Sequence, residues 1–202
     1  MDKPIAFFSH SPFPCGISLC LVRHARAEGN RAHIFNGSAN DAKLTALGRQ
    51  QAKELAMSWK NKPDIILSSP MRRARSTACY LGRRFHLPVI VAPEAYEHDM
   101  GKWTGKSAEK MTKTHSEYFF KKTDGTISHY LQRAPGGESW ADIVRRARKF
   151  LKHMCKEHRG KTVVLVSHGV FILACVSVLT GKKPPQLWDL RVRNTNMICE
   201  RF

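Results

Sequence analysis

VVLVSHGVFILACVSVLTG, Val163–Gly181, is the stretch whose reading decides the fold. Val163 to Thr180 has the composition of a membrane span, but 18 residues is at the short end for crossing a bilayer. Ser167-His168-Gly169 breaks it into two apolar pieces. The first, Val163–Val166, is a short run with the β-branched residues of a buried strand. The second runs through Leu179 as a buried helix, with Gly181 as its terminator. A strand apolar along its whole length belongs to a parallel sheet covered on both faces.

The same pattern recurs upstream. Ile17–Val22 is a second apolar strand, and it stops abruptly at Arg23-His24. Asp64–Leu67 and Pro88–Val91 are further strands, and Asn196–Phe202 is a last edge strand. Helices fall between them. Thr45 caps one that runs to about Lys60, with Leu47, Gln51, Leu55 and Trp59 on successive turns. Ser69-Pro70 supplies an N-cap and a first-turn proline for another that ends near Phe85. From Ser139, the residues Trp140, Ile143, Val144, Ala147, Phe150, Leu151 and Met154 recur at helical spacing. Glu138 and Asp142 lie at the positive start of that helix, and Lys152 and Lys156 near its negative end. Strands alternating with helices predict an α/β fold, a three-layer sandwich with a mostly parallel sheet and helices on both faces. Residues 1–16, with Pro4, Pro12 and Pro14, read as an irregular N-terminal extension. Residues 17–202 read as a single domain, with a cap-like insertion at about 94–134 containing a helix near Ser107–Phe120 and a turn at Asp124-Gly125.

The 202 residues carry 34 Lys and Arg against 16 Asp and Glu, a formal charge of +18. Such an excess concentrates anions and steers them in, without bearing on fold. Phosphorylated metabolites, phosphoproteins, nucleic acid and acidic membranes all fit it, as does a merely soluble basic surface. Arg145–Lys161 is the richest run of cations, and its apolar periodicity makes it a solvated helix face before it makes it a binding patch. Six cysteines are scattered without a CxxC pair, so the expectation is free thiols in a reducing, cytoplasmic compartment. The N-terminus lacks the apolar core of a signal peptide.

Ligands of open α/β sheets gather beyond the carboxyl ends of the strands. Two apolar strands end there in a histidine, LCLVRH at His24 and VVLVSH at His168. Arg73, in the first turn after Asp64–Leu67, is directed to the same edge, where helix-terminal N–H groups also face an anion. Singly, each of these residues is better explained as a solvated or satisfied side chain. Together they point to one anion site.

The segment LVRHARAEGN resembles the RHG signature of the histidine phosphatase superfamily, which includes phosphoglycerate mutases. IFNGSANDAKLTALGRQQA, SSPMRRARSTA, EHDMGKWTG, PGGES, VLVSHG and NTNMICERF are similar to further family segments, in the family's order. The resemblance implies His24 as nucleophile, with Arg23, Asn30, Arg73 and His168 forming the phosphate pocket. It implies Glu97 as proton donor, and the Gly169 N–H as a further phosphate contact. No metal or other cofactor is implied. Three departures from the family pattern stand out: Ala25 for glycine, Arg26-Ala27 for an acidic and a hydroxyl residue, and Thr104 for the acid before Gly105.

Those residue types suit phosphoryl transfer. Neutral imidazole, with an unperturbed pKa of about 6.5, is a usable nucleophile near pH 7. Two arginines and a second histidine supply directed donors for the equatorial oxygens. The reading is a metal-independent phosphomonoesterase acting on a small phosphorylated metabolite through a phosphohistidine on His24. Two alternatives remain: a phosphoglycerate mutase-type phosphotransferase, and a basic protein that binds nucleic acid or phosphoproteins. Oligomeric state is not readable.

Overall fold

In a computed structural model of the chain, the described residues are 13–28, 34–116, 119–121, 127–130, 133–187, 190 and 192–202. The elements in chain order are β1 (Ser18–Arg23), α1 (Ala46–Ser58), β2 (Ile65–Ser68), α2 (Arg72–Phe85) and β3 (Val89–Val91), then α3 (Ala108–Thr114), β4 (Phe119–Lys121) and β5 (Ile127–Tyr130). They end with α4 (Trp140–Glu157), β6 (Thr162–Ser167), α5 (Gly169–Thr180), α6 (Pro184–Leu187) and β7 (Met197–Arg201).

Five strands form one sheet in the order β3-β2-β6-β1-β7. The first four are parallel, and β7 runs antiparallel to β1 at the edge. Alternation of period two divides each central strand between two cores. Leu19, Leu21, Val163 and Leu165 face α4 and α5. Val22, Val164 and Val166 face α1 and α2. The fold is therefore a three-layer α/β sandwich. The apolar stretch around Val163–Thr180 is β6 followed by α5, buried on all sides. Among the described residues no helix is long and apolar enough to cross a membrane.

Helix α4 begins at a capping box in which Ser139 and Asp142 satisfy each other's backbone N–H. Bonds to the Ser139 hydroxyl and backbone hold the Asp142 carboxyl well below the usual carboxylate range. Its apolar face, Ile143, Ala147, Phe150, Leu151 and Met154, enters the core. Arg145, Arg148, Lys149, Lys152 and Lys156 are exposed on the other side. Arg146 is the exception, its side chain buried against Glu138.

Several expectations are corrected. Leu47 is exposed, and the buried face of α1 is Gly48, Ala52, Leu55 and Ala56. A side chain at position 48 would overlap the Arg26 carbonyl, so the start of α1 packs against the loop after β1 through glycine rather than leucine. Helix α2 starts at Arg72 with Met71 as N-cap. Ser69 lies before it, its hydroxyl accepting from the Met71 N–H at 3.2 Å. The helix expected to reach Phe120 ends at Thr114, and Phe119–Lys121 pairs instead with Ile127–Tyr130. Phe119 and Phe120 are aromatic residues of high β propensity, which favours the change of period. The turn at Asp124-Gly125 lies outside the described residues.

The cysteines are also corrected. Cys15 is disulfide-bonded to Cys155, and Cys20 to Cys199, leaving Cys79 exposed and Cys175 buried as thiols. The partners are 140 and 179 residues apart, beyond the reach of any spacing rule. Cys20 and Cys199 are direct cross-strand neighbours of β1 and β7. These pairs remove the ground on which a reducing compartment was expected. Closing loops this long is expected to contribute about 2–4 kcal/mol per bridge. Thiol titration without reductant should count one thiol, Cys79, in the native protein and a second, Cys175, once it is denatured, and reduction should lower the urea midpoint. Six reactive thiols in unreduced, denatured protein would contradict the pairing.

Candidate active site

Three adjacent parallel strands deliver the centre. β2 leads into Ser69, β6 into His168 and β1 into His24. The sheet ladder continues past the strand ends, with the His24 N–H donating to Ser167 O at 2.9 Å and the Ser69 N–H to Val166 O at 2.9 Å. His24 is 3 %, Arg73 5 % and His168 0 % exposed, so the three polar groups sit in the interior and must satisfy one another.

They do so through Arg73. Its Nε–H is shared between His24 Nε2 at 3.2 Å and His168 Nδ1 at 3.3 Å. Its Nη1 donates to Asn40 O at 2.6 Å and its Nη2 to Gly37 O at 3.1 Å. The His24 Nδ1–H donates to Ala25 O at 2.7 Å. Since Nε2 faces the Arg73 donor, His24 is the Nδ1–H tautomer and presents the Nε2 lone pair. By the same logic His168 accepts at Nδ1 and donates from Nε2 to the Ser69 hydroxyl at 2.7 Å.

The backbone carrying His24 is held from both sides. Thr77 Oγ1 accepts from the Ala25 N–H at 3.1 Å, and Asn194 Nδ2 donates to His24 O at 2.7 Å. Thr195, β-branched with φ of 60°, donates its N–H to Arg23 O at 2.9 Å. A left-handed threonine is strained, and such strain is kept where the surrounding structure demands the geometry.

Arg23 donates from Nη1 to Val192 O at 2.8 Å. Its buried Nε has no acceptor among the described residues. A Cβ on Gly169 would lie 3.8 Å from the Arg23 guanidinium carbon, so this cation packs against the first turn of α5. No side chain caps that helix, which leaves its first N–H groups directed toward the same space. Glu97 lies between two short 3₁₀ turns, Pro93–Ala95 and Gly101–Trp103. One carboxylate oxygen accepts from the His98 N–H at 2.9 Å, and its charge acts on both Arg23 and Arg73. Asn30 lies outside the described residues. Among those residues no three His, Cys, Asp or Glu side chains converge as a metal site.

Burial first, then the charges of Arg73 and Arg23, push His24 well below its usual range. Burial first, then His24 and Arg73, do the same to His168. Both rings are therefore neutral near pH 7. The unfolded chain takes up protons as pH falls through about 6.5 while the folded sites resist, so stability is complete above that value and declines below it. Urea midpoints should accordingly be lower at about pH 5.5 than at about pH 7.5, with a smaller difference in His168→Asn. Equal midpoints in the wild type would contradict neutral buried imidazoles.

Ser69, Thr77 and Asn194 had no assigned place in the site from sequence. Ser69 stands in the SSP segment and Asn194 in the NTN segment, both visible as motifs but not as contacts of His168 and His24.

Residues 19–201 match the histidine phosphatase superfamily (branch 1). Phosphoserine phosphatase 1 of Hydrogenobacter thermophilus is 33 % identical, over 89 % of this chain and 84 % of its own length. A metal-independent phosphoserine phosphatase of Arabidopsis thaliana is 29 % identical, over 75 % of this chain and 63 % of its own. The crystal structure of a phosphoserine phosphatase from Entamoeba histolytica, in complex with 3-phosphoglyceric acid, superposes with a TM-score of 0.75. It is 28 % identical and covers 90 % of this chain and 88 % of that one.

Proposed function

The chain belongs to the histidine phosphatase superfamily and is a phosphatase, and from that premise we propose that it hydrolyses a small phosphorylated hydroxy acid or amino acid on His24. The observation that carries the site reading is the single Arg73 N–H shared by His24 Nε2 and His168 Nδ1. It marks the point where a phosphoryl oxygen exchanges places with the two rings. The Arg23 Nε, which has no acceptor among the described residues, is a second donor for such an oxygen.

In this reading His24 Nε2 attacks phosphorus and the P–O ester bond breaks. Arg73, Arg23 and the Gly169 N–H bind the equatorial oxygens, and His168 joins them by moving its proton to Nδ1, its Nε2 then accepting from the Ser69 hydroxyl; Asn30 is the further contact that the family resemblance implies. The Nδ1–H of His24 keeps its bond to Ala25 O, which stabilises the cationic imidazole of the phosphoenzyme. The departing alkoxide takes a proton from the Glu97 carboxyl. The carboxylate then takes a proton from water, the hydroxide attacks phosphorus, and the P–N bond breaks to free phosphate and neutral His24.

Phosphate release should be assayed with p-nitrophenyl phosphate, phosphoserine, 3-phosphoglycerate and sugar phosphates, with EDTA present. Turnover unaffected by EDTA and greatest on the carboxylate-bearing phosphomonoesters is the expected result. Interconversion of phosphoglycerates that requires 2,3-bisphosphoglycerate, with negligible phosphate release, would favour a phosphotransferase instead. Binding of nucleic acid that weakens steeply with salt and survives loss of His24 would favour the basic surface as the working part.

A further inference from the structure

Glu97 sits on irregular backbone, so neither a helix nor a strand fixes its direction. A proton donor nonetheless has to meet the leaving oxygen within hydrogen-bond reach. We propose that Arg146 of α4 and Glu138 are positioning residues for Glu97, acting through the backbone on both sides of it. This inference rests on the reading of Glu97 as the proton donor.

The contacts form one continuous clamp. Arg146 Nη1 donates to Glu94 O at 2.6 Å and to Tyr96 O at 2.8 Å. Its guanidinium lies 3.6 Å from the centre of the Tyr96 ring. Its Nε and Nη2 donate to the two Glu138 carboxylate oxygens at 3.0 and 2.8 Å, a bidentate pair. Glu138 Oε2 also accepts from the Asp99 N–H at 3.0 Å, and Glu138 Oε1 from the Tyr96 hydroxyl at 3.3 Å. The Glu138 backbone completes the set, its N–H donating to Asp99 O at 2.9 Å and its carbonyl bonded to His98 Nε2 at 2.8 Å.

Tyr96, His98 and Asp99 are thus each held by this pair, while the Glu97 side chain lies outside it. The two charged side chains are 8 % and 15 % exposed, so the contacts act where water does little to screen them. Gly137 lets the two loops meet closely, since a Cβ there would fall 2.5 Å from Asp99 O. Arginine is required because one planar group has to reach two carbonyls and both oxygens of a carboxylate at once; lysine offers a single point charge.

A structural contact and a positioning contact differ in their response to the leaving group. p-Nitrophenolate leaves readily without a proton, whereas the alkoxide of phosphoserine needs one. The parameter kcat/KM reports the transfer to His24 alone, and both substrates can be read on one sample, so loss of folded enzyme cancels from their ratio. Arg146→Lys and Glu138→Gln should lower kcat/KM for phosphoserine about tenfold more than for p-nitrophenyl phosphate, with Glu97→Gln setting the upper limit of that discrimination. Glu138→Gln retains an acceptor for the Asp99 N–H and is the milder change if Arg146→Lys does not fold. Equal losses on the two substrates in both clamp variants, with discrimination in Glu97→Gln, would overturn the clamp and leave Glu97 as donor. Equal losses in Glu97→Gln itself would overturn the donor assignment, and the clamp's role with it.

Discussion

Replacing His24 by alanine is expected to lower kcat/KM on the preferred phosphomonoester by a factor of about 10⁴ or more, because removal of a nucleophile leaves only binding and electrostatic effects. The fold should survive. Arg73 Nε keeps His168 as an acceptor, and its two other nitrogens keep Asn40 O and Gly37 O. The loss is the Nδ1–H bond to Ala25 O, with a small cavity beside it. Together these should cost about 1–3 kcal/mol. The variant should therefore unfold cooperatively, with a urea midpoint modestly below wild type, while phosphate release falls to background. Turnover within tenfold of wild type would remove His24 from the mechanism.

Arg73→Ala should lower kcat/KM by about 10³, the lower end of what a single arginine contributes to phosphoryl transfer. The guanidinium is the one group that touches both histidines and two loop carbonyls, so its removal misaligns the centre as well as discharging it. Arg73→Lys should recover little of this loss. An ammonium restores the charge but lacks the planar set of donors that spans Asn40 O, Gly37 O and the ring nitrogens. Recovery to within a few-fold by lysine would mean that charge alone is used at this position. A test on phosphoserine and p-nitrophenyl phosphate together separates Arg73 from Glu97: loss of Arg73 weakens both substrates, since both present the same phosphoryl oxygens.

The sheet was legible because its central strands are short and wholly apolar, and each ends abruptly in polar residues. LCLVRH and VVLVSH thereby announce both the layers and the edge where a ligand binds. The contact between Arg73 and the two rings is not visible in the chain, but its three members are, because each follows a parallel strand of the same sheet. Other features depend on proximity alone. Cys20 and Cys199 become neighbours only when β7 returns to the edge beside β1. Arg146 lies in a run of cations on α4, and helical periodicity marks it as one more solvated arginine. Its burial is decided by Glu138 and by the carbonyls of Glu94 and Tyr96, supplied by a segment about 50 residues earlier that has little periodicity. Leu47 shows the converse: it shares a helical spacing with the buried Leu55 yet is exposed, and α1 turns Gly48 and Ala52 inward instead.

A covalent phosphohistidine is the central claim, and rapid-quench trapping tests it most directly. Wild-type enzyme mixed with ³²P-labelled substrate and stopped with alkali should carry label that survives base, is lost in mild acid, and maps by mass spectrometry to the peptide containing His24. The His24→Ala variant should carry none. Label that is stable to acid and lost in base would indicate a different nucleophile. Label retained by His24→Ala, or full turnover with no label at any quench time, would contradict the phosphohistidine outright.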